Sequence, residues 1–180
     1  MEPMQIAPTV WQLPFPVGHV YCVRLPDGFG LVDTGLPGCA GAVLDGLKRL
    51  GAPPAAVRGI VLTHSHVDHM GSAADLAEAT GARVLAGRAD APAVRGYAPE
   101  PEPVYTEAER ALHEQVLAGI AADGPPPLRH VPVDREQAVA SFRRLAALDD
   151  VETVCVPHGE PVLRDGAADL RAATPEADWL

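Results

Sequence analysis

Three histidines and one aspartate are crowded into a short stretch of the chain. They follow the apolar residues 60–62, and they are His64, His66, Asp68 and His69. Imidazole nitrogen and carboxylate oxygen are ligands that borderline cations such as zinc prefer, and ligands from one loop need little additional ordering to meet around an ion. The stretch therefore predicts a metal site. The simpler alternative is a polar loop that holds these histidines by coincidence.

The spacing of these residues predicts how they are shared between ions. Alternate residues of an extended segment point the same way, so His64 and His66 can reach one cation together at a strand end. A helix-compatible pattern follows at residues 73–79, so the chain must turn at Asp68 and His69. These two side chains can then address a second position. We therefore expect space for two neighbouring metal ions.

The pattern resembles the His-x-His-x-Asp-His motif of the metallo-β-lactamase superfamily of metallohydrolases. Two weaker matches keep the family's order: Asp33 in residues 31–35 is similar to its strand-to-turn segment, and His158 in residues 156–159 to its late His-Gly segment. The resemblance covers residues 10–94 and 134–163. It implies an α/β (α+β) fold of the αββα sandwich type, shortened in the middle, with one or two zinc ions as cofactor. The metal ligands that it implies are His64, His66, Asp68, His69 and His158.

The middle of the chain departs from the family pattern. A Gly-His turn with a third histidine ligand and a Gly-Asp with a bridging carboxylate are expected between residues 70 and 157, and neither is found. His130, in a proline-rich stretch, could be a displaced ligand, whereas His113 falls within a helical pattern. Asp123 or Asp134 could replace the bridge only by an unusual path.

Without these two residues, the second metal position keeps more protein ligands than the first. The first would keep only His64 and His66, while the second would keep Asp68, His69 and His158. Three protein ligands plus water make a catalytic zinc site. One expectation is therefore an enzyme with a single or weakly bound ion and reduced activity.

The expected chemistry starts from water. Zinc held by neutral imidazoles lowers the pKa of its water from about 15.7 to near 7, which supplies hydroxide without a Ser or Cys nucleophile. The sequence thus predicts a zinc hydrolase of a small ester, thioester, lactone or amide, in which Asp68 orients the hydroxide and shuttles its proton. Asp33 is either an acceptor that fixes the tautomer of a ligating histidine or a turn former. The alternative function is a catalytically impaired, metal-binding remnant of the same fold.

Composition limits the classes of partner. The 180 residues fit a single domain, and 24 acidic against 14 basic side chains give a net charge of -10. That charge disfavours nucleic acid and anionic membranes as partners and leaves a small-molecule substrate, with oligomeric state not predicted. Cys22, Cys39 and Cys155 are too few and too widely spaced for a disulfide framework, so buried thiols are expected. With no secretory signal or apolar run of membrane-spanning length, a cytoplasmic protein is expected.

Hydrophobic periodicity predicts alternating strands and helices. A hairpin is predicted at residues 20–25 and 28–32, with later strands at 82–86 and 151–156. Predicted helices cover residues 39–50, 73–79, 106–122, a stretch from 134, and 167–173. The histidine-rich loop would follow a strand, and His158 would emerge at the end of another.

Overall fold

The computed structural model describes residues 2–99, 107, 110 and 135–175. Its contacts divide the chain into two compact units. Unit 1 holds Met1–Glu100 and Cys155–Pro161, and unit 2 holds Pro101–Val154 and Val162–Leu180. The single domain expected over residues 1–180 stays a prediction. The predicted helix at 106–122, His113, His130, Asp123 and Asp134 lie outside the described residues, apart from residues 107 and 110.

Unit 1 is built on a mixed sheet of six strands. In chain order the strands are β1 (Met4–Ala7), β2 (Val10–Leu13), β3 (Val20–Leu25), β4 (Gly28–Val32), β5 (Val57–Val61) and β6 (Arg83–Leu85). Each strand pairs with the next along the chain, antiparallel from β1 to β4 and parallel from β4 to β6. The predicted hairpin is confirmed as β3 and β4, which the two-residue turn Pro26-Asp27 joins. The sequence did not indicate β1 and β2, which are only four residues long each.

Helices connect the parallel strands. Helix α1 (Ala40–Arg49) and a short 3₁₀ helix (Pro54–Ala56) lie between β4 and β5, and α2 (Val67–Met70) and α3 (Ala73–Thr80) between β5 and β6. A further short helix, α4 (Ala91–Val94), follows β6. The helices predicted at 39–50 and 73–79 and the strand at 82–86 are confirmed. Gly51 and Gly81, both with positive φ, follow α1 and α3, as expected at helix ends.

One face of the sheet and the two longer helices enclose the core. Leu31 of β4 is in register with Ile60 of β5, and both are fully buried. Helix α1 contributes Val43 and Leu47 to this cluster, and α3 contributes Leu76. Burial of side chains of this size stabilises the fold by about 1.5–3 kcal/mol each. The loops at the carboxyl ends of β4 and β5 are thus anchored to a rigid scaffold.

Unit 2 contains two helices whose bounds the structure describes. Helix α5 (Arg135–Ala146) and helix α6 (Gly166–Ala172) contact each other, and an isolated bridge joins Val154 to Val162. Both helices were predicted. The predicted strand at residues 151–156 is wrong, since these residues form no strand and Val154 makes only an isolated bridge to Val162. The carbonyl groups of Val156 and Pro157 instead accept hydrogen bonds from side-chain and backbone groups of Tyr21 and His19.

The structure also tests the expected fold class and the expected state of the cysteines. The mixed α/β class is confirmed, and the described residues form one six-stranded sheet with helices. All three cysteines are free, but only Cys22 is buried, because Cys39 is half-buried and Cys155 is exposed. Within the described part of the chain, no helix has the length and apolarity needed to cross a membrane.

Candidate metal centre

The site begins where the parallel strands β4 and β5 end together. Their register pairs Val32 with Val61, so the residues that follow each strand emerge side by side. The N–H of Asp33 donates to the carbonyl of Val61 at 2.8 Å, and the Asp33 carboxylate accepts the N–H of Thr63 at 2.8 Å. Asp33 has a φ of 61°, which is uncommon for a residue other than glycine. Asp33 is thus a turn former, as one of the two interpretations expected.

Asp33 also holds His69, as the other interpretation expected. Its Oδ2 lies 2.8 Å from Nδ1 of His69, and both side chains are almost fully buried. The N–H and the hydroxyl of Thr34 each donate to the carbonyl of His69 at 2.7 Å. Because a carboxylate only accepts hydrogen bonds, Nδ1 of His69 carries a proton. In the neutral ring, Nε2 then keeps a lone pair for a cation.

Thr63 links the Asp33 carboxylate to His64. The Thr63 hydroxyl lies 2.8 Å from Asp33 Oδ2 and 2.9 Å from Nδ1 of His64. A hydroxyl has one proton, and if Thr63 donates it to the carboxylate, the hydroxyl oxygen accepts a hydrogen bond from the N–H at Nδ1 of His64. In that arrangement one aspartate determines the tautomer of two imidazoles, directly for His69 and through Thr63 for His64.

Residues distant in the sequence meet at the Asp68 carboxylate. Oδ2 of Asp68 lies 3.2 Å from Nε2 of His69 and 3.2 Å from Nε2 of His158. One ligand atom of each of the three residues lies within 4.8 Å of the other two. Asp68 and His69 are completely buried, whereas the His158 side chain is 41% exposed. All three belong to unit 1.

These spacings fit a metal ion. With bonds of about 2.0–2.1 Å, two ligand atoms of a tetrahedral zinc site lie about 3.3 Å apart, which is close to the two separations at Asp68. A carboxylate that stays ionised when fully removed from water is stabilised by positive charge beside it. In the protein without metal, protonated imidazole supplies that charge, and a bound cation would supply it in the same place. The donor set of one carboxylate and two imidazoles suits zinc.

The pKa of His69 reflects this crowding. Burial by itself lowers the pKa, but hydrogen bonds to Asp33 and Asp68, together with their negative charges, outweigh burial and raise the pKa from 6.5 to about 9. The metal-free protein therefore holds a proton between His69 and Asp68 at neutral pH. A cation that binds Nε2 must displace this proton.

His64 and His66 lie beside the cluster in a different local structure from the one expected. β5 ends at Val61, and residues 64–66 form an irregular turn before α2, so the alternation of an extended strand does not operate. The rings nevertheless come together, with centroids 4.4 Å apart, and the His64 ring lies 4.0 Å from that of His69. In the described residues, neither belongs to the group whose ligand atoms converge. Their role as ligands stays a prediction.

Several residues that support the site were not predicted from the sequence. Asp90 accepts the N–H of Ser65 at 3.1 Å and so fixes the loop between His64 and His66. Tyr21 binds the segment that carries His158. Neither stands near a ligand in the sequence, so only the fold reveals them. Thr63, directly before His64, could have been found from its position and its hydroxyl.

The chain is similar to several known proteins. The family model described as "Metallo-beta-lactamase superfamily" matches residues 13–148, which is more than half of the chain. The Bacillus subtilis protein YobT, described as uncharacterized, is 39% identical over 75 residues, or 39% of this chain and 30% of YobT. The B. subtilis probable metallo-hydrolase YflN is 32% identical over 65 residues, or 34% of this chain and 25% of YflN.

A solved structure gives a similar result. MEM-A1, a subclass B3 metallo-beta-lactamase from a soil metagenome library, matches with a TM-score of 0.53 and 26% identity over 59% of this chain and 41% of MEM-A1. The chain thus spans between a quarter and about two-fifths of the length of these relatives. The residues matched by the family model include Asp68, His69 and the strands β4 and β5 before them, and the chain belongs to the metallo-β-lactamase superfamily.

Proposed function

We propose that the protein is a zinc-dependent hydrolase of a small ester, thioester, lactone or amide. One observation carries the proposal: the Nε2 atoms of His69 and His158, which are far apart in the sequence, both lie 3.2 Å from one buried carboxylate oxygen of Asp68. A structural role alone does not require two imidazoles around a buried acid. The ligand spacing supports a cation at this point.

The residues have separate tasks in this proposal. When bound, the cation supplies an activated water at neutral pH and polarises the substrate carbonyl. Asp33 keeps the proton on Nδ1 of His69, so that Nε2 stays directed at the cation. Asp68, fully buried, orients the attacking water and accepts its proton through its carboxylate. His158, which is partly exposed, lies on the side of the cluster that solvent and substrate can reach.

The proposed class of substrate is supported by the names of similar proteins and by the net charge of the chain. MEM-A1 is named a metallo-beta-lactamase and YflN a probable metallo-hydrolase, and both names imply hydrolysis with a metal. The net charge of -10 works against nucleic acid and anionic membranes. A small, uncharged or cationic carbonyl compound fits these limits best. We propose a small-molecule substrate for this reason.

Metal analysis and hydrolysis assays on the purified chain test the proposal. Zinc content is measured by mass spectrometry, and turnover is followed with p-nitrophenyl acetate, an acyl thioester, a simple lactone and a chromogenic β-lactam. We expect at least one bound zinc and hydrolysis of at least one substrate. A chelator should remove that activity and zinc should restore it.

Matched variants assign the activity to the cluster. His158→Ala and Asp68→Asn should each lower turnover at least about a hundredfold, because each removes a group of the proposed centre. Asp75→Asn, an exposed aspartate on α3, controls for the loss of a carboxylate and should behave like wild type. Zinc binding without hydrolysis of any of the four substrates would favour the metal-binding remnant. Absence of zinc binding would contradict the proposal.

A further inference from the structure

One short segment contacts both sequence regions of the candidate centre. The hydroxyl of Tyr21 donates to the carbonyl of Val156 at 2.6 Å. Two residues earlier, the N–H of His19 donates to the carbonyl of Pro157 at 2.7 Å. Val156 and Pro157 directly precede His158 in the sequence. The start of β3 therefore binds the backbone that carries this histidine.

The same segment touches the Asp68 region. A Cβ atom on Gly18 would overlap the carbonyl oxygen of Asp68 and approach its Cβ atom. Gly18 has a φ of 67°, a conformation that glycine adopts without strain. Within residues 18–21, Gly18 thus lies against Asp68, while His19 and Tyr21 bind the two residues that precede His158.

The surroundings of Tyr21 hold its side chain in one position. Its side chain is buried, with 5% of the residue exposed, and Nε2 of the buried Gln12 lies 3.4 Å from its hydroxyl oxygen. Gln12 on β2 and Tyr21 on β3 are register partners, so the sheet fixes the hydroxyl. Burial raises the pKa of Tyr21 to about 12, with the nearby Cys155 adding to the effect. The hydroxyl therefore stays a donor across the ordinary pH range.

We propose that Tyr21 is a positioning residue that holds His158 within reach of Asp68 and His69. This inference rests on the proposed function. Residues 155–161 have no regular strand or helix in the structure, so the position of His158 depends on individual contacts with the rest of unit 1. The hydroxyl of Tyr21 supplies one such contact from the rigid sheet, and the amide of His19 supplies a second.

Tyr21→Phe tests the inference, because it removes the hydroxyl and keeps the ring in the core. The matched control is Tyr97→Phe, since the residue at 97 is 82% exposed. Zinc affinity is measured on the full chain by competition with two chromophoric chelators of different strength. We expect Tyr21→Phe to weaken zinc binding about tenfold, the low end of the effect of partners that bond a ligand directly, because Tyr21 acts through the backbone two residues before His158. The control should stay within about twofold of wild type.

A double-variant cycle separates positioning from general loss of stability. In a His158→Ala background the hydroxyl has no histidine to place, so the further change Tyr21→Phe should alter zinc affinity less than about twofold. A similar loss in both backgrounds, or wild-type affinity in Tyr21→Phe alone, would overturn the inference. If His158→Ala weakens zinc binding while Tyr21→Phe does not, the proposed function survives and only the inference fails. If wild type binds no zinc, both fail together.

Discussion

Asp33 is the residue on which the geometry of the candidate centre depends most directly. Its carboxylate accepts hydrogen bonds from the backbone N–H and the hydroxyl of Thr63, and from Nδ1 of His69. A metal-binding imidazole needs the proton on the nitrogen that faces away from the ion. In the proposed centre, Asp33 would therefore act on the ion without touching it, and its hydrogen bond to His69 joins a strand-end aspartate to the histidine cluster.

Replacing this carboxylate should weaken metal binding more than it disturbs the fold. Asp33→Asn keeps the size of the side chain, but its amide can present an N–H to Nδ1 of His69 and favour the wrong tautomer. We expect zinc affinity to fall about 10–100-fold, measured by chelator competition. Asp45→Asn, an exposed aspartate on α1, is the control and should bind zinc like wild type. Equal affinities in the two variants would contradict the role given to Asp33.

The raised pKa of His69 predicts how the metal-free protein responds to pH. The pKa is about 9 in the folded chain and about 6.5 when unfolded, so folding takes up a proton between these values. The stabilisation is fully present below about pH 6.5 and is lost as pH rises through about 9. Urea unfolding with chelator present should therefore show the free energy of unfolding falling by about 1–3 kcal/mol across this range.

Zinc should abolish that pH trend, since the ion displaces the proton from Nε2 of His69. Apparent zinc affinity is expected to rise as pH increases and to level off above about pH 9, where His69 is already deprotonated. In Asp33→Asn the proton is held less strongly, so the fall in metal-free stability over this window should shrink. A stability that stays flat in wild type would show that His69 is neutral in the folded protein.

At the scale of elements, a strand at residues 28–32, the helix after it and a strand that ends before the histidine motif could be predicted from the sequence. The parallel pairing of these two strands could not. The apolar residues 60–62 before the motif indicate the second strand. The histidine motif after β5 indicates the edge of the sheet where ligands gather. The pairing of Val32 with Val61, which brings Asp33 beside Thr63, depends on register and has no local signal.

The approach of His158 is harder still to predict. A periodic pattern at residues 151–156 indicated a strand, but the backbone there binds Tyr21 and His19 through single contacts. Such contacts join residues more than a hundred positions apart and leave no periodicity in the sequence. The resemblance of residues 156–159 to a family segment identified the histidine, whereas the structure was needed to show what surrounds it.

The loop before β3 allows a test at the same scale. Gly18→Ala places a methyl group against the Asp68 carbonyl, while Gly51→Ala shares the positive φ but has no neighbour within 4 Å of the new atom. Both should lose about 1–2 kcal/mol of stability in urea unfolding because of the left-handed backbone. Gly18→Ala should lose about 1–3 kcal/mol more and also bind zinc less tightly, since Asp68 must shift. Equal losses would show that the contact with Asp68 is unimportant.

At the scale of the whole molecule, the candidate centre joins regions that the sequence separates widely. Asp68 and His69 lie in the first hundred residues, whereas His158 reaches unit 1 through the segment Cys155–Pro161. An ion held by all three binds the folded chain and has no matching site in the unfolded chain. Binding must therefore stabilise the fold in proportion to the logarithm of free zinc above its dissociation constant.

This linkage gives a prediction that needs no substrate. At free zinc about a hundredfold above the dissociation constant, the folded state should gain about 2.7 kcal/mol, which corresponds to a rise in Tm of roughly 5–10 °C for a chain of this length. Thermal unfolding with zinc and with chelator measures the difference. His158→Ala should lose most of the zinc-dependent rise, because the remaining Asp68 and His69 are neighbours and close no loop between distant regions. The same rise in wild type and variant would mean that zinc binds elsewhere. No rise in wild type would contradict the proposal that zinc binds the folded chain.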